Sequence, residues 1–162
     1  MGRNIDVIRA FVRQDYVRSK TINMRSYDNK LLSYETIIAQ AFGEVIFLSD
    51  HNYSSSTSKQ MYYVRSLSED LDKKLIVSSR TIVESDNANF EDLMKESMII
   101  YTSDIVELIG KSNRMSKNRM DLIRNKIETI KYIEENSKHK ASDFFDKEIV
   151  SIVMIKYSKT YS

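Results

Sequence analysis

Apolar residues recur along this chain in more than one rhythm. In residues 4–13, Ile5, Ile8, Phe11 and Val12 fall at i, i+3, i+6 and i+7. That spacing is one face of a short helix, with Asn4 as N-cap and Arg9 and Arg13 on the opposite face. Over 21–49 the period changes to two. Ile22 and Met24 alternate with polar residues, Tyr27-Asp28-Asn29-Lys30 is a turn signal, and Leu32, Tyr34, Thr36 and Ile38 alternate again. Gly43-Glu44 marks a second turn before the apolar run Val45-Ile46-Phe47-Leu48. The pattern predicts three strands in an antiparallel meander. A helix is expected next, capped by Ser55 or Ser56 and running through Met61, Tyr62, Val64, Arg65 and Leu67. Leu75-Ile76-Val77 and Thr81-Ile82-Val83 flank Ser78-Ser79-Arg80 and read as one strand or a short hairpin.

From Ser85-Asp86-Asn87-Ala88-Asn89 onward the rhythm is helical. Phe90, Leu93, Met94, Met98, Tyr101, Ile105 and Leu108 form one stripe, with Asn89 as cap and Gly110 at the C′ position. Met120, Ile123, Ile127, Ile130 and Ile133 form a second, nearly heptad stripe. Lys138-His139-Lys140 is a polar break. A third pattern over 143–157 has Ser142 as cap, Asp143 and Asp146 in the first turn and Lys156 and Lys159 at the end. Its Ile149-Val150-Ser151-Ile152-Val153 centre equally suits a strand. The expected fold is α+β. An α-β-β-β-α domain with a short antiparallel sheet occupies 1–85, and a mainly helical domain follows over 86–162.

Composition narrows the chemistry. The 162 residues include no Cys, Pro or Trp and only 3 Gly; average usage would give roughly eight prolines and eleven glycines. Turns must therefore rely on Asn, Asp and Ser. Without Cys there are no disulfides, thiolate nucleophiles or thiolate metal sites. Ile, Lys, Asn and Tyr are abundant and Ala is scarce, a bias that points to an AT-rich genome. The N-terminus lacks the apolar core of a signal peptide, and no run of about 18 apolar residues occurs. A soluble, cytoplasmic protein with no membrane contact is expected. The net charge is +2, neither the strong acidity of a DNA mimic nor the strong basicity of a non-specific nucleic-acid binder. Two local excesses stand out. Residues 1–30 hold seven Lys/Arg against three Asp, a net of +4. Residues 111–126 hold Lys111, Arg114, Lys117, Arg119, Arg124 and Lys126 against Asp121, a net of +5.

No catalytic constellation emerges. His51 and His139 are isolated from any metal-binding or acid–base motif, the three glycines are too far apart for a phosphate loop, and no nucleophile elbow is present. No enzyme, no metal and no cofactor is expected; Glu69, Asp70 and Asp72 read as a solvated loop. Two stretches invite binding. Tyr53, Ser55, Thr57, Ser58 and Lys59 belong to a hydroxyl-rich segment that suits helix capping and could also hold an anion. Lys111, Arg114, Lys117, Arg119 and Arg124 suit either a solvated helical face or a patch for nucleic acid or an acidic protein surface.

Two segments taken together, Leu32-Ser33-Tyr34-Glu35-Thr36-Ile37-Ile38-Ala39 and Tyr53-Ser54-Ser55-Ser56-Thr57-Ser58-Lys59-Gln60, followed by Tyr63-Val64-Arg65, resemble a small domain of phages and mobile elements of low-GC bacteria. Its pattern is roughly Ser-Tyr-x-Thr-x-Ile-Ala, then Tyr-Ser-x-Thr-Thr-Ser-Lys-His. Here Ser56 stands in place of Thr and Gln60 in place of His. The domain is similar to the N-terminal part of several type II-A anti-CRISPR proteins, whose C-terminal parts differ. The resemblance implies a host-cell inhibitor that binds the Cas9 nuclease, or its guide-RNA complex, through the helical residues 90–157. With the charge near neutrality, blocking of a nuclease domain fits better than DNA mimicry. A nucleic-acid-binding accessory protein of a mobile element is the alternative.

Overall fold

The computed structural model describes residues 3–15, 19–110 and 117–144. The chain is α+β, and it divides by its internal contacts into two compact units, residues 1–93 and 94–162.

The first unit opens with helix α1, Asn4–Arg13, which buries Val7, Ile8, Phe11 and Val12. Asn4 is its first residue and not its cap. The end is closed instead from Arg3, whose backbone N–H donates to the Asp6 carboxylate at 3.1 Å, while Asn4 Oδ1 accepts from the Thr21 hydroxyl at 2.5 Å. Five strands follow: β1 (Ser19–Lys20), β2 (Met24–Tyr27), β3 (Lys30–Ser33), β4 (Thr36–Phe42) and β5 (Val45–Ser49). They form an antiparallel meander in chain order. Helix α2, Ser55–Asp70, then crosses the sheet, and β6, Lys74–Ser78, returns parallel to β5. A parallel return needs such a crossover, because a tight turn can only reverse the chain. Among the described residues the sheet has six strands.

The sheet is thus larger than the expected three-strand meander. The alternation from Leu32 to Ile38 is not one strand. It breaks at Tyr34-Glu35, both of which have positive φ (49° and 69°). Two such residues in succession make a two-residue hairpin loop, a job usually done by Asn-Gly. With neither residue present, the alternation ran unmarked through the turn. A register irregularity at Leu31/Leu32 inserts an extra residue in β4, so that Ile37, Ile38 and Ala39 are all buried.

Both faces of the sheet are covered. α1 and α2 bury Met24, Leu31, Ala39, Ala41, Ile46 and Leu48 on one face. The other is closed by residues 79–93, which include α3, Arg80–Val83. Phe42, Phe47 and Phe90 meet edge to face with ring centroids 5.8–6.0 Å apart. The Gln40 amide donates to the carbonyls of Val83 and Ser85, each at 2.8 Å. This double cover explains why β5 is buried at all five positions. It also corrects the reading of Thr81-Ile82-Val83 as a strand. The apolar residues there belong to one helical turn, and only Val83 is buried.

In the second unit, helix α4, Phe90–Gly110, continues from Met94, and α5 spans Lys117–Asn136. Asn89 does cap α4, accepting from the Asp92 N–H at 2.8 Å. Gly110 is the last helical residue, not a C′ residue. The expected stripes are the core: Met94, Met98, Tyr101 and Ile105 of α4 and Ile123, Ile127, Ile130 and Ile133 of α5 are buried. The Lys126 ammonium ties α5 to α4, 3.0 Å from the Asp104 carboxylate and 5.3 Å from the Tyr101 ring centroid. A short 3₁₀ turn follows at Ala141–Asp143. The pattern expected over 143–157 lies outside the described residues from 145 onward. No helix among the described residues is long and apolar enough to cross a membrane.

A left-handed backbone costs a side-chain-bearing residue on the order of 1 kcal/mol. The Glu35 contact with Arg25 is solvent-exposed and returns less than that. Glu35→Gly is therefore expected to stabilise the protein by about 0.5–1 kcal/mol. Urea denaturation checks this, and a loss of stability would refute the account of the turn.

Candidate functional site

The hydroxyl-rich segment sits at the start of α2, and its side chains divide among three environments. The cap is Ser54, not Ser55 or Ser56: its Oγ accepts from the Thr57 N–H at 3.5 Å. Ser55, Ser56, Ser58 and Lys59 are exposed. Ser58 Oγ bonds back to the Tyr53 carbonyl at 3.3 Å.

Thr57 and Gln60 point inward, one helical turn apart, and both are buried. They meet Ser33 at the end of β3. Its hydroxyl lies 3.0 Å from Thr57 Oγ1 and donates to Gln60 Oε1. The two segments that carry the resemblance are therefore bonded to each other. Gln60, which stands where the pattern has His, is held as a buried acceptor.

Tyr53 belongs to a third group, at the carboxyl ends of the parallel strands β5 and β6. In open sheets such ends commonly hold ligands, because the chain turns away there and exposes polar groups. The Tyr53 hydroxyl is 2.9 Å from Ser49 Oγ and 3.3 Å from Glu84 Oε1. Arg80 Nε donates to Glu84 Oε2 at 2.7 Å. Arg80 Nη1 lies 3.4 Å from His51 Nδ1, which must be the acceptor because a guanidinium has only donors. The His51 and Tyr53 rings stack edge to face, 4.6 Å apart, and the Arg80 N–H donates to the Asp50 carboxylate at 2.8 Å. His51 is thus not isolated. The parallel return of β6 brings Arg80 and Glu84 to it, and no local pattern in the chain marks that approach. Burial pushes the Tyr53 phenol above its ordinary value, as does the Glu84 carboxylate, and the Ser49 contact opposes them.

A cavity of about 450 Å³ opens on the other side of the α2 N-terminus, lined among others by Arg3, Asn23, Tyr34, Lys59, Gln60 and Tyr63. Tyr34, 53% exposed, is carried there by the left-handed turn, its hydroxyl 3.4 Å from Ser56 Oγ.

The basic stretch is less uniform than its sequence. Lys111 and Arg114 lie outside the described residues. Lys117 is exposed at the start of α5 and Arg119 is half-buried. The Arg124 side chain is only 12% exposed and pairs with Asp121 at 3.4 Å. Among the described residues no three His, Asp or Glu side chains gather as a metal site, Glu69, Asp70 and Asp72 included. Comparisons with protein families, curated proteins and solved structures find no match to the chain.

Two outcomes test this geometry. Ser33→Ala leaves Thr57 and the Gln60 carbonyl short of a buried partner and is expected to cost about 1–3 kcal/mol; a change under about 0.5 kcal/mol in denaturant unfolding would refute the bonded cluster. For Tyr53, a folded-state value raised above the unfolded one means that the native state holds its proton longer. The stabilising effect is complete below the ordinary phenol value near 10 and declines as pH rises through it. Tyr53→Phe should therefore remove a late component from the tyrosinate absorbance titration and flatten the alkaline loss of stability. An unchanged late component contradicts the placement of Tyr53.

Proposed function

We propose that this chain is a stoichiometric protein-binding inhibitor of Cas9, of the anti-CRISPR type, and not an enzyme. The observation that carries the reading is the contact between its two resembling segments: Ser33 of the first bonds Thr57 and Gln60 of the second. Residues that must meet to dock a helix on a sheet have a physical reason to occur together. The shared pattern then describes a common scaffold in residues 1–93, and partner choice falls to the helical residues beyond it. There Ile99, Val106 and Leu122 are 37%, 47% and 50% exposed and Lys117 is exposed as well, a mixture that suits a protein surface better than a phosphate backbone. With a net charge of +2, the chain would act by occupying a nuclease domain or stopping its docking, the step that licenses cleavage.

The second reading is a nucleic-acid-binding accessory protein of a mobile element, favoured by the net +5 of residues 111–126. Against it, Arg124 and Lys126 are engaged with Asp121 and Asp104.

Purified Cas9–guide complex, mixed with the protein, separates the two. The expected result is loss of target cleavage with DNA binding retained. Unchanged cleavage at molar excess sinks the inhibitor reading. Binding of the protein alone to duplex or single strands, weakening steeply with salt, would support the second.

A further inference from the structure

The cavity between the α1 N-terminus and the start of α2 has a consistent chemical character. Arg3 and Lys59 lie on its rim, and no carboxylate lines it. Asp6 takes part of the Arg3 charge, with 3.7 Å between Asp6 Oδ2 and Arg3 Nε. Lys59 has no carboxylate partner among the described residues and is the free cation of the site. Gln60 supplies a second, independent feature. It is only 5% exposed, its Oε1 is taken up by Ser33, and its Nε2 donates to no group among the described residues. The side chain is held in place by its oxygen while its amide N–H groups open to the cavity, free to bond what enters it. Asn23 also lines the cavity, and Tyr34 and Tyr63 add two aromatic residues to it.

At about 450 Å³ the cavity is too large for a lone anion and lies within the range of small-molecule sites. Its groups are complementary to one ligand chemistry: a phosphate for Lys59 and Arg3, a flat ring for the tyrosines, and ring-edge donors and acceptors for the carboxamides. We propose that this cavity binds a nucleotide, either free or at the end of a strand. The site is separate from the helical residues assigned to partner binding and stands or falls independently of that assignment. The backbone turn at Tyr34-Glu35 serves it by holding one aromatic wall over the α2 N-terminus.

The test is a calorimetric titration of the full chain with adenosine and guanosine monophosphates, inorganic phosphate, the free nucleosides, and a short 5′-phosphorylated oligonucleotide. Saturable binding of a mononucleotide is expected, at least about tenfold tighter than either phosphate or nucleoside alone. Lys59→Ala, on the solvent side of α2, should weaken it roughly tenfold while leaving denaturant stability unchanged. If only the oligonucleotide binds and Lys59→Ala weakens it equally, the strand end is the source and the assignment holds. Phosphate binding as tightly as the nucleotide overturns it. So does nucleotide binding that is indifferent to Lys59→Ala, and so does the absence of saturable binding at about 5 mM of every probe.

Discussion

One buried hydroxyl sets much of the first unit. Ser33 ends β3 under the first turn of α2, and its contacts with Thr57 and Gln60 fix where that helix starts. Leaving a buried polar group unbonded is costly, so the three side chains are stable there as a set. Once α2 is seated, its N-terminus faces the hairpin loop on one side and the ends of β5 and β6 on the other. The cavity and the Tyr53 group are both consequences of that placement. The same helix carries the chain across to β6, whose return delivers Arg80 and Glu84 to His51 and Tyr53.

Much of this was legible in the chain because burial leaves a period. α1, α2, β5 and both long helical stripes carry that signal, and each lies where the pattern puts it; of the strand or hairpin expected around Ser78-Ser79-Arg80, only the first half is a strand. The signal fails where geometry depends on backbone sign or on distant pairing. Tyr34 and Glu35 carry no mark of a left-handed turn, so two strands read as one. Thr81-Ile82-Val83 has β-rich composition, yet the far sheet face accepts only Val83, and a helical turn results. The caps differ too: Ser54 in place of Ser55 or Ser56, where a serine run offers several equivalent oxygens, and Arg3 in place of Asn4, whose side chain is taken up by Thr21. Boundaries of this kind are settled by tertiary contacts and not by local preference.

The candidate groups divided in the same way. Thr57 and Lys59 are two residues apart on one helix, so one turns into the core and the other to solvent. A run of hydroxyls and a lysine therefore cannot act as one site, although it reads as one. In the basic stretch, charge counted along the chain overstated the charge available to a partner, since Arg124 and Lys126 are spent within their own unit. His51 went the other way. It gained a guanidinium and a phenol from residues 29 and two positions along the chain, the first of which only the parallel strand pair could bring.

The Tyr34-Glu35 turn joins stability to function. If the loop had only to reverse the chain, a glycine would do it at lower cost, and nothing about the sheet forbids one. What the present residues supply is side chains. Glu35 reaches Arg25 at 2.8 Å, and Tyr34 reaches over to Ser56. The ion pair is exposed and weak, so it does not offset the backbone strain. Tyr34 is the remaining return, and it is not a packing return either, since the ring stays about half exposed while apolar rings gain by burial. The Tyr34 N–H is bonded to the Asn23 carbonyl at 2.8 Å, but that backbone contact does not depend on the tyrosine ring; strained residues of this kind cluster at binding and catalytic sites. At this turn the half-exposed Tyr34 lines the same cavity as Gln60, and a ligand that covered the ring would offset the strain of the turn.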